Sequence, residues 1–177
     1  MANVKIGDAA LAFELPGVDG KTYSLEALSK GKTATAVVFM CNHCPYVLAW
    51  LDRLMAIAKD YSAQGVALAG INANDPAKYA ADDMPGMIKL AEEYALPFPY
   101  LHDETQEVAT AYGAERTPEI FLFDGDLKLR YHGAPDDNHD VTQASEPYLR
   151  NALDAVLAGK APPVAETPPV GCTIKWK

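Results

Sequence analysis

Three observations predict an α/β domain built on a central sheet. Residues 34–40 and 66–71 are apolar at nearly every position, as in strands buried on both faces of a parallel or mixed sheet. Each is followed by a stretch whose apolar residues have helical spacing, so strands and helices alternate. A pair of β-type runs around Asp124-Gly125-Asp126 and one more amphipathic stretch close the pattern. At 177 residues, 49% hydrophobic and 22% charged, the chain is the size of one ordinary domain and needs no disulfide staples to bury a core.

In chain order, Phe13-Glu14-Leu15 and Thr22-Tyr23-Ser24 flank Pro16-Gly17-Val18-Asp19-Gly20-Lys21, whose turn residues predict an N-terminal β-hairpin. Ser24 can cap a brief helix over 25–28. After the strand over 34–40, a helix is expected over 45–61. It places Val47, Leu51, Leu54, Met55 and Ala58 on one face and turns Asp52, Arg53, Lys59 and Asp60 to water, with Gly65 beyond its end. The strand over 66–71 runs into Asn72-Ala73-Asn74-Asp75-Pro76, a loop by composition. A helix over 84–94, an extended piece over 97–101 and a helix over 104–112 stopped by Gly113 follow. After Thr117-Pro118, residues 120–123 and 127–131 form a hairpin, and a last helix spans 147–157. Residues 1–160 make up this domain. The tail over 161–177 carries Pro162, Pro163, Pro168 and Pro169 and should be extended, with Ile174 and Trp176 docking on the same domain.

A formal charge of −9 argues against nucleic acid or an anionic membrane as partner. No run approaches a membrane span, and residues 1–8 lack the charged start and apolar core of a signal peptide, so a cytoplasmic location is expected. In that reducing setting a close cysteine pair reads as catalytic, redox-sensing or metal-binding rather than structural.

Two of the three cysteines fall in Cys41-Asn42-His43-Cys44, between the first buried strand and Pro45. A helix N-terminus offers free N–H donors and the positive end of the macrodipole, which favour thiolate over thiol. If the helix starts at Pro45, where a missing N–H costs nothing, Cys44 is its N-cap and the attacking thiol, with Cys41 as the resolving one. If it starts at Cys41, the roles exchange and Pro45 sits a turn inside. Either way a four-residue turn keeps the two within disulfide reach. His43 can supply charge or a hydrogen bond to a thiolate, or face solvent.

The Cys-Asn-His-Cys-Pro turn, Asn72-Ala73-Asn74-Asp75, Arg116-Thr117-Pro118-Glu119 ahead of Phe121-Leu122-Phe123-Asp124, and Gly171-Cys172-Thr173-Ile174-Lys175-Trp176 together resemble a family. It is the peroxiredoxin-like group of the alkyl hydroperoxide reductase/thiol-specific antioxidant (AhpC/TSA) superfamily. The resemblance implies a thioredoxin-like fold, with a central mixed β-sheet flanked by helices. It implies a cis peptide before Pro118, leaving the Thr117 backbone free to pair with a substrate. Arg116 is close enough in sequence to reach the site and favour a thiolate, and reads equally as a solvated surface arginine. The peroxidatic signature Pro-x-x-x-Thr-x-x-Cys, aligned on Cys44, meets Val37 and Cys41 where it needs proline and threonine. Thiol–disulfide exchange is therefore expected, with a thiol-dependent peroxidase as the alternative. The expected partners are protein or small-molecule disulfides and thiols and a reductant, without a cofactor or a metal; the oligomeric state is left open.

Two rival readings stay beside this one. Cys41, His43, Cys44 and Cys172 are all zinc donors, with His102, His132 and His139 as further ligands, though no second Cys-x-x-Cys half exists. A binding module without catalysis would use the same scaffold to hold a peptide at Pro118. Cys172 itself reads as a buried small hydrophobe, a second resolving thiol or an intermolecular partner. Asp82-Asp83 and Asp136-Asp137 read as solvated loop charges.

Overall fold

The computed structural model describes residues 2–177; Met1, the first residue of the predicted domain, lies outside the described residues. The elements in chain order are β1 (Glu14–Pro16), β2 (Thr22–Ser24), α1 (Leu25–Ser29), β3 (Ala34–Phe39), α2 (Pro45–Ser62) and β4 (Val66–Asn72). They continue with a 3-10 turn (Ala80–Asp82), α3 (Met84–Tyr94), β5 (Tyr100–His102), α4 (Glu107–Tyr112), β6 (Arg116–Thr117), β7 (Glu119–Asp124), β8 (Leu129–Gly133), α5 (Tyr148–Leu157) and β9 (Cys172–Thr173).

Five strands form the central sheet in the order β5-β4-β3-β7-β8. β3 runs parallel to β4, and β4 to β5, while β7 is antiparallel to both β3 and β8, so the sheet is mixed as expected. Every residue of β3 is buried, because helices cover both faces. Ala36, Val38 and Met40 face a core shared with Val47, Trp50, Leu51 and Leu54 of α2 and with Leu149 and Leu153 of α5. Val37 and Phe39 point the other way, against Tyr112, Phe121, Phe123 and the N-terminal Phe13 and Leu15. The alternation of β3 side chains thus distributes one apolar run between two cores.

Local chemistry sets most of the boundaries. The Ser24 hydroxyl accepts the Ala27 N–H and caps α1, and the Asp83 carboxylate accepts the Gly86 N–H at the start of α3. Gly113, with φ at 69°, closes α4 in the left-handed conformation that glycine tolerates. α4 begins three residues later than its apolar spacing implies. Gln106 adopts a φ of 65° ahead of it, and its amide donates to the carbonyls of Ala73 and Lys175.

Three assignments of charge are corrected. Arg53 does not turn to water: its guanidinium lies 2.6 Å from Asp136 and donates to the carbonyls of Asn138 and His139. Asp136 is buried rather than solvated, and it also accepts the Trp50 indole N–H at 2.7 Å. Asp82 is fully buried. In the tail, Ile174 is buried, whereas the Trp176 side chain stays exposed and only its carbonyl is held, by Lys78.

Candidate active site

β3 ends at Phe39, and Pro45, six positions on, is the first residue of α2, so Cys44 is the N-cap with extended backbone. Proline at this position lacks only an N–H that the helix would leave unpaired. The Cys44 carbonyl accepts the Leu48 N–H as the first bond of the helix, and its thiol donates to the Thr117 carbonyl at 3.4 Å. The Cys41 sulfur lies 3.6 Å from the Thr117 hydroxyl. The Thr117–Pro118 peptide is cis. Both thiols are free, and both are buried.

Their environments differ in sign. Hydrogen bonding from Cys41 does most to hold the Cys44 thiol far below its ordinary value, to about 4. Burial opposes this, and hydrogen bonds from the Cys172 side chain and the backbone amides of Val47 and Cys172 assist it. The same bond to Cys44, together with burial and the nearby charge of Asp82, pushes Cys41 well above the usual thiol range. Cys44 is thus the thiolate of the pair and Cys41 the thiol.

His43 does not face solvent alone. Its Nδ1 is 2.6 Å from Asp82, and its ring stacks on Tyr79 at a centroid separation of 3.9 Å. Asp82 Oδ1 also accepts the Asn42 backbone N–H at 2.8 Å and the Asn72 amide at 3.2 Å, while Oδ2 accepts the Asn74 amide at 3.0 Å. Tyr100 donates to the Asn42 side chain at 2.7 Å. One buried carboxylate therefore fixes the cysteine turn from below and pairs with its histidine. The sequence offers one signal for this, the Asn72-Ala73-Asn74 loop just ahead of Asp82; two amides need an acceptor once buried.

Arg116 is exposed, and its guanidinium donates to the Gly171 carbonyl at 3.1 Å, so it holds the tail instead of reaching Cys44. Glu119 was not singled out by the sequence. It is buried, accepts the backbone N–H groups of Glu115 and Arg116, and lies 2.7 Å from His132, which fixes the segment leading into Pro118. Cys172 is half-buried beside the cysteine pair, its backbone registered against Thr117.

Among the described residues, the donors close enough to share an ion are Cys41, His43 and Asp82, whose ligand atoms lie within 4.8 Å of one another. Neither Cys172 nor His102, His132 or His139 belongs to that group. Three donors fall one short of a structural zinc set, and the Asp82 carboxylate already accepts three N–H bonds.

The AhpC/TSA family model matches residues 6–132. Over 128 residues the chain is 27% identical to the thiol-disulfide oxidoreductase ResA of Geobacillus thermodenitrificans (strain NG80-2), a match covering 72% of this chain and 68% of that protein. It is 30% identical over 140 residues to the thiol:disulfide interchange protein DsbE of Escherichia coli (strain K12), covering 77% of this chain and 69% of that one. The crystal structure of an uncharacterized conserved protein from Geobacillus kaustophilus superposes with a TM-score of 0.93 at 43% identity, over 99% of this chain and 95% of the other. More distant solved structures are thioredoxin-like, which shows the fold.

Proposed function

The chain belongs to the AhpC/TSA family, and from that we propose that it is a thiol–disulfide oxidoreductase working through Cys44 and Cys41. The observation that carries the reading is a pair of buried, free thiols at a helix N-terminus, Cys44 at the N-cap and Cys41 at the strand exit, both against Thr117 and polarised in opposite senses. The Cys44 thiolate attacks one sulfur of a substrate disulfide and the other sulfur leaves. Cys41 then attacks the Cys44 sulfur, releases the second substrate thiol and leaves a Cys41–Cys44 disulfide for an external reductant.

Resolution requires Cys41 to lose its proton. The His43 ring, paired with Asp82, has a nitrogen within 4.8 Å of the Cys41 sulfur, a separation that one bridging water would span to carry the proton away. Thr117 presents its hydroxyl to the Cys41 sulfur and its carbonyl to the Cys44 sulfur; the carbonyl accepts only from the protonated Cys44 thiol, so that bond is given up when the attacking thiolate forms. Cys41 stands where a peroxidase of this family would orient peroxide with a threonine, so hydrogen peroxide is expected to be consumed far more slowly than a disulfide is reduced.

The test is turnover with 2-hydroxyethyl disulfide and dithiothreitol. Cys44→Ser should lose at least about 100-fold, comparable to removing a positioned nucleophile. The double variant Cys41→Ser/Cys172→Ser should retain the first attack and accumulate a mixed disulfide on Cys44. Wild-type turnover in Cys44→Ser would sink the proposal, and a stoichiometric zinc ion in untagged protein, lost on oxidation, would replace it with a metal site.

A further inference from the structure

The strand edge beside Pro118 is already occupied. β9 pairs antiparallel with β6, Thr117 opposite Cys172 and Arg116 opposite Thr173. The approach is close at Gly171, where a Cβ would stand 1.9 Å from the Thr117 carbonyl oxygen, the atom that accepts the Cys44 thiol. Only a residue without a side chain can pass there. On either side the segment is tied down: Arg116 donates to the Gly171 carbonyl, and the Ile174 N–H donates to the Glu115 carbonyl at 2.9 Å. Beyond it the Lys175 N–H donates to Asn74, in the same loop whose amides hold Asp82.

The result is an extended segment carrying a cysteine, laid along the backbone that flanks both redox thiols. Cys44 and Cys41 are buried beneath it, and Cys172 alone of the three is half-exposed. We propose that the segment Gly171-Cys172-Thr173 is a tethered substrate strand, presenting Cys172 to Cys44 so that a Cys44–Cys172 disulfide forms during the reaction cycle. The inference rests on Cys44 being the attacking thiolate. It is supported by the register that sets Cys172 opposite Thr117, whose carbonyl is in contact with the Cys44 sulfur, and by the packing of Cys172 against the cluster that contains Cys44.

The chemistry balances with a disulfide RSSR as oxidant. Cys44 sulfur bonds to one RS group and the other leaves as RS⁻. Cys172 then loses its proton and attacks the Cys44 sulfur, the bond to R breaks, and the second RS⁻ leaves. Cys44 and Cys172 together give up two electrons and two protons, which end on two RSH. Cys41 can subsequently attack Cys44, moving the disulfide to Cys41–Cys44 and returning Cys172 to a thiol without net oxidation.

The experiment uses the full chain carrying Cys41→Ser, treated at pH 7 with one equivalent of 2-hydroxyethyl disulfide and mapped by mass spectrometry. The expected product is an internal Cys44–Cys172 link with both equivalents of mercaptoethanol released. A persistent mercaptoethanol adduct on Cys44 with Cys172 still a free thiol would overturn the tethered strand while leaving the exchange reading intact. An unmodified Cys44 would overturn both. Two further variants in the same background separate docking from chemistry. Cys172→Ser keeps the strand and should retain the adduct. Gly171→Val keeps the thiol but collides with Thr117, so the link should form at least ten-fold more slowly while iodoacetamide reaches Cys44 at least ten-fold faster. Equal link formation in Gly171→Val and its parent would show that strand pairing does not present the thiol, and would overturn the proposal.

Discussion

Cys44 draws its acidity from neighbours that exist only in the folded chain, and this links its ionisation to stability. A thiol whose value falls from the ordinary 9.0 to about 4 on folding adds stability as pH rises between the two. The contribution is complete above the unfolded value and is lost as pH falls through about 4. Cys41 and Cys172 are shifted upward, so they stay protonated through this window and begin to cost stability only above the ordinary thiol range. Urea midpoints of reduced wild type minus those of Cys44→Ser should therefore widen from pH 4 towards pH 8; a constant difference would show that the thiolate is not stabilised by the fold. Asp82 acts on the other thiol. Asp82→Asn removes the negative charge that helps keep Cys41 protonated, so the pH at which Cys41 resolves a mixed disulfide should move down. The same change disturbs three accepted hydrogen bonds and should cost about 1–3 kcal/mol in denaturant titrations.

The elements show what a sequence displays and what it conceals. α2 starts where Pro45 places it, because proline chemistry is local, whereas Asp83, which reads as a loop charge, caps α3 by accepting the Gly86 N–H. The buried strands were equally legible from uninterrupted apolar runs. Legibility fails where a side chain's partner lies far along the chain. Asp82 and Asp136 look like any loop acid until the fold brings Asn42 and His43 to one and Trp50 and Arg53 to the other. Within the site, the cysteine turn was readable as a helix start, whereas the pairing of Glu119 with His132 and of Arg116 with Gly171 joins residues 13 and 55 positions apart. The Trp50–Asp136–Arg53 cluster ties the loop after β8 to α2. Asp136→Ala leaves the indole N–H without its acceptor and the Arg53 guanidinium without its anionic partner, with carbonyls alone to accept from it, and should cost about 3 kcal/mol, measurable by urea denaturation.

At the scale of the whole molecule the tail works as a strap. Its Ala165 and Thr167 exchange backbone hydrogen bonds with His132 along β8, the outer strand of the sheet, before β9 reaches β6. Gly133 lets Thr167 approach so closely that a Cβ would meet its hydroxyl at 2.1 Å. Removing residues 165–177 would uncover Ile174's site, worth about 1.5–3 kcal/mol in apolar burial alone, and would leave a bare strand edge. Thermal unfolding should then fall by more than about 5 °C, with concentration-dependent association detectable by light scattering. The pairing of β6 with β9 has one more consequence, in chain connectivity. A Cys41–Cys44 bond closes a ring of four residues and hardly restrains an unfolded chain, whereas a Cys44–Cys172 bond would make nearly three-quarters of the polypeptide one covalent loop. By loop-closure entropy such a bond suppresses the unfolded ensemble by about 4–5 kcal/mol. Passing the disulfide from one partner to the other would thus switch the molecule between an open and a circularised chain, each with its own resistance to unfolding.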